Sequence, residues 1–68
     1  MVNVSEIEIL QIKQNKKNKD LAKHLNISVQ ALNRKKKGAI KWSIEDVMGM
    51  ISFFEITDPI EKVRIFLS

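Results

Sequence analysis

Between Val29 and Lys37 the chain reads VQALNRKKK, which places a glutamine, an asparagine and an arginine within five positions and follows them with three consecutive lysines. The amides of Gln30 and Asn33 each offer a donor beside an acceptor, the pattern that pairs with the edge of adenine. The fork of Arg34 matches guanine, and Val29 suits the methyl group of thymine. On a helix advancing about 100° per residue, Val29, Asn33, Lys37, Gln30 and Arg34 share one arc, while Ala31, Leu32 and Lys35 fall on the other. The polar arc is expected to face solvent, with Leu32 and Ala31 facing the core. Three adjacent ammonium groups repel one another. Their place in a last helical turn offsets part of that through the helix dipole, and a polyanionic partner would relieve the rest.

Other chemistry finds little footing. The chain has no cysteine and a single histidine, His24, so a thiolate zinc site is excluded, no metal or other cofactor is expected, and His24 is read as an exposed helix residue. There is no Gly-rich phosphate loop and no nucleophile with a histidine and an acid in a recognisable pattern. An enzyme is not expected, nor is a small-molecule pocket.

The charge distribution agrees with a polyanionic partner. Residues 1–41 hold ten Lys/Arg against three acids, whereas residues 42–68 hold two against five, within a formal net charge of +4. Such one-sidedness suits a face that meets nucleic acid. At 68 residues the chain is read as one domain with a marginal core. No basic region leads into an apolar run, and no apolar stretch reaches the roughly 18 residues of a membrane span, so no leader and no membrane partner are expected. The default expectation is a cytoplasmic protein.

The elements that must hold the polar arc are helical, since breakers are rare: one proline and two glycines. Ser5 with Glu8 fits a capping box for a first helix running to about Asn15, although Val2 and Val4 also alternate as a short strand would. Its apolar residues spread over two faces, leaving one for a partner or for the C-terminal segment. Asn18 can cap a second helix at about 19–25, with Asp20 in its first turn and Leu21, Ala22 and Leu25 on one side. Asn26 tolerates a left-handed turn. Ser28 then caps a third helix at about 29–37 that Gly38 closes. Ser43 with Asp46 forms another capping box, opening a helix over 44–54 with Ile44, Val47, Met48, Ile51 and Phe54 as its stripe, widened by Met50 and Phe53; the two methionines are read as core or interface filler. Trp42, just before that cap, is expected to anchor on the core. Thr57 or Asp58 caps a fifth helix entered through Pro59. Ile60, Val63 and Leu67 are expected to face inward, leaving Ile65 and Phe66 as an outward surplus suited to a dimer contact.

The stretch NKDLAKHLNISVQALNRKKKG resembles the helix-turn-helix of the lambda-repressor-like, Cro/repressor (XRE-type) superfamily. There LAxxL, a turn residue, an apolar residue, Ser/Thr and a recognition helix closed by Gly follow in order. The likeness extends over about residues 7 to 57: GAIKWSIEDVMGMISFFEIT is similar to the family's fourth helix and ITDPIEKVRIFLS to a short fifth. The chain is similar to the phage and mobile-element regulators that end soon after this domain. The resemblance implies an all-α, compact bundle of about five short helices in a single domain over 1–68. Leu21, Leu25, Ile27 and Leu32 would lock the two helices and Ala22 would let them cross closely. Val29, Gln30, Asn33 and Arg34 would read bases, and Asn18, Lys19, Ser28, Lys36, Lys37 and Lys41 would contact phosphate. The function implied is a sequence-specific transcriptional regulator, a repressor acting as a homodimer on a palindromic operator in double-stranded DNA. The alternative is an antirepressor or modulator of the same fold, binding another repressor protein through Ile9, Phe53, Ile65 and Phe66. A third reading is nucleic-acid binding through charge alone. The chain departs from the family pattern at Asn26, where glycine is common, and at Lys35 and Lys36, where an apolar residue is usual. There a lysine stem is expected to cover the core while its ammonium reaches water.

Overall fold

The computed structural model describes residues 1–67; Ser68, the last residue of the expected domain, lies outside them. Five helices follow in order, α1 (Val4–Lys13), α2 (Asn18–His24), α3 (Val29–Lys36), α4 (Ile44–Phe53) and α5 (Pro59–Phe66), with no strand among the described residues. The chain is an all-α bundle. None of its helices is long and apolar enough to cross a membrane.

Local chemistry explains most helix ends. The Ser28 hydroxyl accepts the Ala31 N–H at 3.0 Å, and Ser43 and Asp46 form the reciprocal box, each taking the other's backbone N–H. Asp58 accepts the Ile60 N–H and Pro59 opens α5. The exits of α1, α2 and α4 turn through Asn15, Asn26 and Glu55 in the left-handed region, and that of α3 through Gly38 at φ +84°. Asn26 does at φ 59° what glycine would. Two caps differ from expectation. Asn3, not Ser5, caps α1 by accepting the Glu6 N–H at 3.3 Å, so Val4 is helical and the alternating Val2/Val4 pair forms no strand. Lys17 takes the cap position of α2, its N–H held by Asp20 at 3.1 Å. That leaves Asn18 inside the helix and its side chain free for another use.

The core comprises Ile7, Leu21, Ala22, Leu32, Met50, Phe54, Ile56, Ile65 and Phe66, with Leu25, Ile27, Trp42 and Val47 packed against it. Trp42 is thus an anchor, as its position suggested. Gly49 makes room for α2: a Cβ there would lie 2.6 Å from the Leu25 side chain. At the end of α4, carbonyls left without helical partners are met from the α1–α2 segment. Gln14 donates to the Phe54 carbonyl at 3.0 Å, and the Lys16 ammonium donates to that of Phe53 while lying 4.5 Å from the Phe53 ring centre.

Two helices are rotated from their expected settings. On α5, Ile65 and Phe66 are buried, whereas Ile60 and Leu67 are 77% and 72% exposed and Val63 is also exposed. The cause is tertiary: the Asn3 N–H bonds the Ile65 carbonyl at 2.6 Å and Arg64 pairs with Glu6 at 2.7 Å, which turns that side of α5 toward α1. Ile65 and Phe66 are therefore no partner surface. On α4 the inward face centres on Met50 and Phe54, and Ile44 and Met48 stand in solvent.

Glu55 holds its left-handed angle with a Cβ that disfavours it. Glu55→Gly is expected to raise stability by roughly 0.5–1 kcal/mol, the conformational relief exceeding glycine's added unfolded-state entropy. A urea-unfolding midpoint that stays put or falls would contradict this.

Candidate nucleic-acid interface

Helix α3 is held by Ser28 at its start, Leu32 in its middle and Gly38 beyond its end, and Leu32 is fully buried. This setting leaves Gln30, Asn33, Arg34 and Lys37 exposed, with Val29 exposed beside them. No ion pair among the described residues engages Arg34 or Lys37. The four residues expected to read bases therefore share one open face, with their polar groups unspent.

Lys35 and Lys36 turn the other way. The Lys35 ammonium pairs with the Asp46 carboxylate, where the two side chains are only 12% and 7% exposed. Lys36, at 8%, donates to Gln11 Oε1 at 2.6 Å and Asn18 Oδ1 at 2.8 Å, and lies 3.4 Å from the Glu8 carboxylate. Gln11 Nε2 completes the network by donating to Asn18 Oδ1 at 3.0 Å and to the Lys16 carbonyl at 3.3 Å. The expectation that these ammonium groups reach water is overturned, because an acceptor waits for each inside the fold. A phosphate contact by Lys36 is withdrawn for the same reason.

The remaining phosphate candidates divide. Lys19, Lys37 and Lys41 are exposed. Ser28 is exposed, but its hydroxyl oxygen caps α3. Asn18 is half-buried with its amide oxygen committed to Gln11 and Lys36. Lys16 serves the end of α4. His24 is exposed and packs against Phe53, the ring centres 5.0 Å apart and the planes tilted by 43°.

Sequence reasoning missed Gln11 and saw Glu8 and Asp46 only as capping residues. The available signal was the absence of an apolar residue at 35 and 36, since lysines turned toward a core require acceptors from other elements. Burial is the largest influence on the Asp46 carboxyl and pushes its pKa up. Hydrogen bonds from Lys35 and from the Ser43 N–H and hydroxyl, with the Lys35 charge, outweigh it and hold the group below the usual carboxylate value.

Next to this face the structure has a feature not anticipated, an open groove of about 770 Å³ between the N-terminal segment, the α3–α4 loop and the start of α4. Its wall is largely apolar, and Lys37 and Lys41 lie along it.

Compared with known proteins, the chain matches no family model, no curated protein and no solved structure.

Because the Asp46 pKa is depressed by folding, its contribution is present above the unfolded carboxylate range and is lost as pH falls through the folded value. Asp46→Asn is expected to destabilise the protein by about 2–3 kcal/mol at neutral pH, leaving Lys35 without its counter-charge. It should also flatten the acid limb of stability against pH, measured by urea unfolding at several pH values. An acid limb as steep as that of the parent would remove Asp46 from this role.

Proposed function

We propose that the chain is a small sequence-specific DNA-binding regulator of the Cro/repressor type, reading the major groove with α3 and working in the cytoplasm by binding, without catalysis. The observation that carries this reading is the common outward projection of Gln30, Asn33 and Arg34 while the lysines that follow at 35 and 36 are turned inward and bound within the fold. Side chains of these types on one exposed helical face suit base edges. Lys19, Lys37 and Lys41 supply phosphate contacts that fix register.

A module of this size covers little DNA, so the reading includes a two-fold homodimer on a palindromic operator with half-sites about one helical turn apart. The exposed Ile60, Val63 and Leu67 of α5 support a dimer contact in place of the buried Ile65 and Phe66.

The test selects binding sites from random-sequence duplexes, then titrates the preferred site and a scrambled control at two salt concentrations. Preference for the selected site supports the reading; equal, salt-sensitive binding to both replaces it with binding by charge alone. Arg34→Ala should cost on the order of 1–3 kcal/mol on the preferred site and relax one base position. If affinity and base preference survive that substitution, α3 is not the reading helix. Lys37→Ala should weaken every sequence alike and reduce the salt slope by about one unit; an unaltered slope would place Lys37 away from phosphate.

A further inference from the structure

The groove beside α3 combines an apolar wall with exposed cations. Its apolar wall includes Val2, Val4, Trp42, Ile44, Val47 and Phe66, drawn from the N-terminal segment, the α3–α4 loop, α4 and α5. Four lysines and no acidic residue are also among the lining. Lys35 is paired with Asp46, and Lys36 is held by hydrogen bonds to Gln11 and Asn18 with the Glu8 carboxylate 3.4 Å away. Lys37 and Lys41 are exposed and engaged in no ion pair among the described residues.

We propose that this groove binds a small amphipathic carboxylate in free solution, its apolar body along Trp42, Val47 and Phe66 and its acid group on Lys37 and Lys41. Charge complementarity selects the head, because two uncompensated cations stand at the groove with no carboxylate to answer them. The apolar wall selects the body, and a volume of about 770 Å³ lies within the ~300–1,000 Å³ of small-molecule sites. A phosphodiester backbone would leave the apolar wall unused. A second copy seated symmetrically would bring its own Lys37 and Lys41 toward these two, and like charges would oppose it. One consequence rests on the proposed function: where Lys37 and Lys41 also contact phosphate, the bound carboxylate competes with DNA for them.

The deciding experiment contains no DNA, so its outcome is separate from the fate of that function. The full chain is titrated with decanoate below its micelle-forming concentration, and with decyltrimethylammonium as a cation of equal chain length. Emission of Trp42, the single tryptophan, and the thermal unfolding midpoint are followed. Decanoate should give a saturable change with one molecule bound, raise the midpoint and bind at least about tenfold more weakly to the Lys37→Gln/Lys41→Gln double variant. Both lysines are exposed, so the variant should keep its fold, checked by circular dichroism. Ile44→Asn, on an exposed part of the wall, should weaken binding as well. Absence of a saturable response in both measurements, equal binding of decyltrimethylammonium, or undiminished affinity in the double variant would overturn the proposal.

Discussion

The inward turn of Lys35 and Lys36 is the constraint on which the rest of the molecule depends. Two ammonium groups removed from most of their water must be met by acceptors, and the fold supplies them from three other elements: Asp46 on α4, Gln11 and Glu8 on α1, Asn18 on α2. A helix carrying such groups has one acceptable rotation. Turning α3 by one residue, about 100°, would separate both lysines from these partners and lift Leu32 from the core. The polar network thus fixes what an apolar seam alone would fix less sharply, since hydrophobic contact is non-directional. The face formed by Gln30, Asn33 and Arg34 is the other side of that same constraint.

What was legible in the sequence is what neighbours in the chain decide. Ser28, Asn26, Gly38 and the Ser43/Asp46 box act over three or four residues, and they place α3 and α4 correctly. The projection of Gln30, Asn33 and Arg34 followed from helical period and from Leu32 alone. What was illegible is what distant residues decide. The rotation of α5 comes from Asn3 bonding to Ile65 and from Glu6 pairing with Arg64, contacts across almost the whole chain. An apolar stripe of Ile60, Val63 and Leu67 is as well spaced for burial as the pair Ile65 and Phe66, and periodicity has no means of choosing between them. The cap at Asn3 was hidden because Ser5 with Glu8 offers an equally good local signal two residues later.

Charge arithmetic along the chain proved coarser than the charge on the surface. Lys16 caps the end of α4, and Lys35 and Lys36 belong to the interior, so three of the ten basic residues in the first 41 are structural. The others, with Lys19, Lys37 and Lys41 among them, are the ones that define the basic surface. A run of identical residues has therefore been divided by the fold into two tasks, holding the helix and facing a partner.

That division has a chemical side. An acylating reagent attacks the unprotonated amine, and it must first reach it. Lys37 presents its nitrogen to solvent, while its two neighbours hold theirs against a carboxylate and a pair of side-chain amides, so three amines that are indistinguishable on paper form one fast site and two slow ones. Within this run, a lysine-directed label or an acetyl group would therefore settle on position 37 and leave the two inward lysines intact.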